Sequence, residues 1–212
     1  MIQHIKLFVS SYLLPDSLFL HAKTRHEKIL YLTFDDGPVA GVTEPLLNLL
    51  KKYNVKASFF IVGAKAEKEP TIMSLIHSEG HTIANHSYSH PNFSQIDNKA
   101  QQRQIKKTNQ IIYQTTRQPC SLFRAPQGRW SLKLIYFLWK EKITATHWNR
   151  DSLDFKKESV EIIINRFKQQ MVNSGDIILF HDDNKLCISA LEYLIPYWQS
   201  QGYAMKKLVS KY

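Results

Sequence analysis

The chain has 212 residues, 43% of them hydrophobic, with 28 Lys and Arg against 18 Asp and Glu, a formal net charge of +10. This suits one sizeable core and excludes a disordered, collagen-like or disulfide-scaffolded chain, since only the distant Cys120 and Cys187 are present, read as two unpaired buried thiols. The basic balance favours polyanionic surroundings, but the cations come in scattered pairs such as Lys51-Lys52 and Lys106-Lys107 without a nucleic-acid motif. A generally basic surface is therefore the plain reading. Peripheral association with an anionic membrane or cell-wall polymer is the specific one, and no nucleic-acid partner is expected.

Residues 5–20 are fairly apolar but are broken by Pro15 and Asp16, with Lys6, at the start of the run, its only Lys or Arg and no small-residue cleavage site behind it. That is too short for a spanning helix and a poor signal peptide. Residues 1–28 are expected to be an N-terminal segment holding a packed helix, ahead of a single domain at 29–212. Within that domain, strands are predicted at 29–34, 57–62, 81–85, 121–124, 143–148, 176–180 and 203–208, each rich in Ile, Val, Phe, Tyr or Thr. Helices are predicted around Leu46 to Lys52, around Ile72 to Glu79 with Gly80 as the stop, and at about 97–116, 131–141, 157–173 and 187–200. Alternation of this kind describes an α/β fold on a parallel sheet whose strands are covered on both faces. Periodicity leaves open a barrel or an open doubly wound sheet. Polar clusters at the ends of several different strands favour the barrel, where such ends converge on one face.

Those clusters carry the chemistry. The first strand runs into Asp35-Asp36-Gly37-Pro38, and the third ends beside His86-Ser87-Tyr88-Ser89-His90. Asp-Asp before Gly-Pro is by itself an ordinary turn, and a lone pair of His at i, i+4 arises often by chance. Together they can supply three ligands to a catalytic cation and leave one carboxylate as a base. On a helical turn His86 and His90 would share a face. Arg124, in Phe123-Arg124-Ala125-Pro126-Gln127-Gly128, could pair with Asp35, its plain alternative being a surface arginine before a turn. Asp151 and Asp154 follow another strand, where Asp154 could cap a helix or wall a site. His181 ends the strand at 176–180, and beside a carboxylate it is suited to act as a general acid.

The ordered set Thr-Phe-Asp-Asp-Gly-Pro, His-Ser-x-x-His-Pro, Arg-x-Pro-x-Gly, Asp-Ser-x-Asp and Leu-x-His spans residues 33–181. It resembles the polysaccharide deacetylases of the NodB-homology type, carbohydrate esterase family 4. The resemblance implies a distorted (β/α)7 TIM-like barrel at 29–212 and a divalent metal, usually Zn2+, sometimes Co2+ or Ni2+. It implies that Asp35 is the catalytic base, that Asp36, His86 and His90 are the metal ligands, and that Arg124 pairs with the base. It further implies that Asp154 orients the catalytic histidine, that His181 is the general acid, and that Pro126, Gln127, Gly128, Phe155 and Leu179 line the substrate, Gln127 through its backbone N–H. Gln127 stands where family members commonly carry Tyr, and Phe155 where they commonly carry Trp. The expected activity is removal of N-acetyl groups from amino sugars of a chitin-, peptidoglycan- or poly-N-acetylglucosamine-like polymer, by a monomer, in or near the cell envelope. The competing expectations are a smaller or O-acetylated substrate, or a non-catalytic carbohydrate-binding protein.

Overall fold

The computed structural model describes residues 19–20 and 27–210. The predicted N-terminal helix lies outside the described residues apart from Phe19–Leu20, which form strand β1. The remaining strands are β2 (Ile29–Asp35), β3 (Ser58–Ile61), β4 (Thr82–Asn85), β5 (Leu122–Phe123), β6 (Thr144–Thr146), β7 (Arg150–Asp151), β8 (Ile177–His181) and β9 (Ala204–Met205). Helices α1 (Thr43–Lys52), α2 (Gly63–Ala66), α3 (Pro70–Ser78), α4 (Asn98–Thr116), α5 (Leu132–Lys140), α6 (Val160–Gln169) and α7 (Leu186–Ser200) lie between them. Local chemistry sets several helix starts. Asp97, Ser131 and Ser159 each accept a hydrogen bond from a first-turn N–H, at Ala100, Leu134 and Ile162. Gly80, at φ +80°, ends α3 as its position suggests.

Every strand pairing is parallel, in the order β1-β6-β5-β4-β3-β2-β8-β7, with β9 joining the start of β2. β6 and β7 lie near opposite edges of this sheet, yet only residues 147–149 separate them in the chain. The sheet is therefore curled into the distorted barrel that the sequence suggests. All seven predicted strands are present, several of them shorter. β1 and β7 were not predicted. A two-residue Arg-Asp strand has no intrinsic strand signal; it exists because Asn149 and Ser152 on either side donate backbone hydrogen bonds to Ile177 and Leu179 of β8.

Strand alternation then sorts the side chains. Leu30, Leu32 and Phe34 of β2 pack outward with Phe59, Ile178, Phe180 and Trp198 in the large core beneath α1, α3, α6 and α7. Phe60 and Ile177 pack on the inner side with Leu20, Ala84, Leu122 and Leu208. Thr33 and Asp35 share the other face of β2 from Leu32 and Phe34, and both are buried. The β2–β8 register places Asp35 beside His181 and Thr33 beside Leu179. One strand pairing thus brings residues nearly 150 positions apart to adjacent places at the C-terminal rim.

Candidate active site

Asp36 follows the last residue of β2 and has φ 74°, a left-handed turn that redirects its carboxylate. Its Oδ1 lies 3.7 Å from His86 Nε2 and 3.4 Å from His90 Nε2. One ligand atom from each of these three residues lies within 4.8 Å of the others. His86 Nδ1 is 2.9 Å from the Arg124 carbonyl oxygen, which can only accept, so the proton sits on Nδ1 and the Nε2 lone pair faces the cluster. A helical turn is not what brings the histidines together. Residues 86–90 form a loop, with Ser87 at φ 70° and His90 at φ 53°, and the two rings lie 4.9 Å apart. Side chains around and within the motif hold this loop: Asn85 accepts from the Ser87 N–H, Gln104 from those of Tyr88 and Ser89, and the motif's own Ser87 hydroxyl from that of His90.

The donor set suits a cation. Asp36 Oδ1 is buried and accepts no hydrogen bond among the described residues. Burial opposes ionisation of Asp36, yet the neighbouring His86, His90, His181 and Lys65 outweigh it and hold its carboxyl below the ordinary value. Burial, working against Asp35 and Asp36, moves the His86 pKa below its usual value, the direction that favours the uncharged imidazole a metal ligand requires. Two imidazole nitrogens and one carboxylate are the donors that a catalytic zinc-type site uses.

Asp35 is held differently. Arg124 is fully buried, and its Nη1 donates to Asp35 Oδ1 at 2.6 Å and to Thr33 Oγ1 at 2.9 Å. Phe60 flanks the guanidinium at 4.0 Å, with Trp148 at 5.5 Å. The surface-arginine reading therefore does not hold. Asp35 Oδ2, the oxygen that Arg124 leaves free, is 3.5 Å from His86 Nε2 and so borders the cation cluster.

His181 is gripped by Asp154 at two points. Oδ1 lies 2.7 Å from the ring Nδ1, and Oδ2 accepts the His181 backbone N–H at 2.9 Å. The Asp154 carboxylate is committed to this histidine, not to capping a helix. Burial alone would lower the His181 pKa, but Asp154, through its hydrogen bond and charge, with Asp35 and Asp36 beyond, raises it to about 9. The adjacent Asp182 is not the partner. Its Oδ2 accepts from Thr43 Oγ1 at 2.8 Å, and its carboxylate packs against Gly37. A Cβ at Gly37 would lie 2.0 Å from Asp182 Oδ2. Gly37→Ala should therefore cost about 1–3 kcal/mol and displace the Asp36 turn; an unaltered melting temperature in differential scanning calorimetry would contradict this.

The residues expected to line the substrate lie near these strand ends. Pro126–Gly128 form a single 3-10 turn with Gln127 at φ 54°. At Gly128 an added Cβ would come within 3.0 Å of the His147 ring and 3.2 Å of Trp148. The Phe155 ring is about half exposed and lies 5.7 Å from the His181 ring. Leu179 is buried in register with Thr33 and Asp151. Thr33, Lys65, Asn85 and Gln104 escaped the sequence reading, although Lys65 Nζ donates to the Asp36 carbonyl at 2.6 Å. Only Thr33 had a local signal, two positions before Asp35 on the same strand face.

A cation cradle, a carboxylate locked to a guanidinium and a histidine held by an aspartate, all on the C-terminal rim of a curled parallel sheet, define a metal-dependent hydrolase of amides or esters. Comparison with known proteins narrows the class. A family model described as polysaccharide deacetylase matches residues 22–146. A peptidoglycan-N-acetylglucosamine deacetylase of Bacillus cereus is 34% identical over 85% of this chain and 67% of its own length. A chitooligosaccharide deacetylase of Rhizobium leguminosarum bv. trifolii is 29% identical over 86% of this chain and 91% of its own. The crystal structure of the Bc1960 peptidoglycan N-acetylglucosamine deacetylase superposes with a TM-score of 0.84 at 32% identity, covering 89% of this chain and 91% of that one. The chain belongs to the polysaccharide deacetylase family, metal-dependent hydrolases of the linear amide in acetylated amino sugars.

Proposed function

We propose that this protein removes the N-acetyl group from N-acetylglucosamine units of a cell-wall glycan or chito-oligomer, with Zn2+ held by Asp36, His86 and His90. The observation that carries the reading is the rim itself: Asp35 and His181 are register partners on adjacent strands, flanking the three-ligand cluster. N-acetylglucosamine is common to the substrates named for the bacterial relatives. Peptidoglycan as a relative's substrate points to the cell envelope. Among the described residues no helix is long and apolar enough to cross a membrane.

When bound, the ion supplies Lewis-acid polarisation of the amide carbonyl and makes a water acidic. Asp35, its rotamer fixed by Arg124, which Thr33 Oγ1 also holds, takes the proton from the attacking water through Oδ2. The Gln127 backbone N–H donates to the oxygen that becomes negative, an interaction typically worth about 3–4 kcal/mol. His181 gives its Nε2 proton to the departing amine while Asp154 holds Nδ1. Phe155 and Leu179 supply apolar walls for the sugar and the acetyl methyl. Acetate and a free glucosamine-type amine are the products.

Release of acetate from acetylated chito-oligomers and from peptidoglycan, with and without added Zn2+, tests the assignment; metal-independent release from both would overturn it. A His86→Ala, His90→Ala protein should bind Zn2+ at least about 100-fold more weakly, because one carboxylate is not a site; unchanged affinity in isothermal titration calorimetry rules those ligands out. The His181 acid sets a falling limb in the pH profile. The imidazolium is present below its pKa and is lost as pH rises through about 9. A cation compensates Asp36, one of the charges that raise the value, so the holoenzyme limb should fall somewhat below 9. Asp154→Asn removes the principal raising group and should shift this limb to lower pH by more than one unit. Stability follows the same sign: the His181–Asp154 contribution is complete below the unfolded value near 6.5 and disappears as pH climbs toward 9. An Asp154→Asn profile that superposes on the wild type would remove Asp154 from the proposed role.

A further inference from the structure

The cations look scattered along the sequence, but the acids are unevenly spread. Residues 98–150 contain eleven Lys and Arg and a single acid, Glu141, so this quarter of the chain carries a formal +10, the entire net charge of the protein. Arg124 and Arg150 are tied internally to Asp35 and Asp176. Much of the remainder lies on two neighbouring helices. Helix α4 contains no acid, and its exposed Lys99, Arg103, Lys106 and Lys107 line one groove with Gln102 and Gln110.

Helix α5 adds a second, independent feature. It buries Leu134, Ile135 and Leu138 and turns Leu132, Tyr136 and Trp139 outward, at 71%, 55% and 47% exposure. The spacing i, i+4, i+7 makes these three one stripe, with the exposed Lys133 and Lys140 alongside it. The two helices share a seam. Lys106 of α4 lies 5.7 Å from the Phe137 ring of α5 and 3.2 Å from Glu141 at its end. Helical spacing sets the exposed Lys133 and Lys140 between this seam and the Leu132, Tyr136 and Trp139 stripe, so the cations of α4 lead through those of α5 to the apolar stripe.

We propose that the joined faces of α4 and α5 dock this protein on an anionic phospholipid bilayer. A soluble polyanion would engage the cations but gives no reason for Leu132, Tyr136 and Trp139 to face water. A lipid interface accommodates both, with Trp and Tyr at headgroup depth and Lys and Arg against lipid phosphates. Helices α4 and α5 pack on β5 and β6 through Ile105, Leu134 and Leu138, so their exposed faces point away from the sheet.

Co-sedimentation of the full chain with vesicles of phosphatidylcholine, with and without phosphatidylglycerol, tests the proposal. Binding should require the anionic lipid and fall steeply with salt. Replacing Lys99, Arg103 and Lys106 together by Gln should weaken it about 100-fold, from roughly a fivefold contribution per charge. Leu132→Ser, Tyr136→Ser and Trp139→Ser together should abolish vesicle binding while leaving binding to soluble inorganic polyphosphate intact. All six positions are solvent-exposed, so both variants should keep the wild-type circular dichroism spectrum and wild-type acetate release from soluble oligomers. Equal binding to neutral vesicles, retention of binding by either variant, or a serine variant that still sediments normally would overturn the proposal. Capture by polyphosphate but not by vesicles would make the surface a soluble-polyanion site instead.

Discussion

Asp35→Asn should reduce the rate of acetate release by about three orders of magnitude, within the span usual for loss of a general base. The substitution keeps the shape, and its amide oxygen can still accept from Arg124 Nη1, where Asp35 Oδ1 accepts now at 2.6 Å. It removes only the proton-accepting character of Oδ2, the oxygen nearest the cluster. Zn2+ affinity should stay close to wild type, because the three-ligand cluster is Asp36, His86 and His90. Steady-state kinetics paired with metal titration separates the possibilities. Lost activity with lost metal would make Asp35 a ligand, and retained activity would leave it with no catalytic task.

Arg124→Leu has the largest expected effect on stability. Arg124 and Asp35 are both essentially excluded from water and are paired at 2.6 Å. Removing the guanidinium leaves a buried carboxylate without its hydrogen-bond donor, beside only the cation cluster and His181, which should cost about 3–5 kcal/mol. The diagnostic is the double substitution. Adding Asp35→Asn to Arg124→Leu removes the stranded charge and should recover much of the loss, although the enzyme stays inactive. Urea unfolding of the four members of this cycle measures the coupling. Strict additivity would show that the pair, for all its geometry, contributes no specific interaction.

How much was legible in the chain varied with how local its cause was. The strand ends that bear Asp35, His86, Arg124 and His181 could be found because apolar runs and turn residues are neighbours in sequence. The capping residues Asp97, Ser131 and Ser159 follow from the same local rules. Strand β7 could not be read, since an Arg-Asp pair becomes a strand only when β8 offers its edge. The loop that pairs His86 with His90 is not the helical turn on which i, i+4 residues would share a face. Its left-handed Ser87 and His90 are sustained by Asn85 and by Gln104 from α4, which local propensity does not report. The concentration of charge in residues 98–150 is present in the sequence, although no run of cations marks it. The depletion of acids is what reveals it.

The sequence by itself determined an alternating α/β chain, the residue types of a metal-dependent hydrolase, and their position at strand ends, because each depends on side-chain chemistry and short-range periodicity. Only the tertiary structure decided who serves whom. Asp154, not the neighbouring Asp182, holds His181; Arg124 is buried on Asp35 and Thr33; and Asp36 turns toward two imidazoles while Asp35 does not leave its strand face. Those choices rest on the parallel register that sets Asp35 beside His181 and on the curl that brings both sheet edges together, and neither is encoded within any single segment.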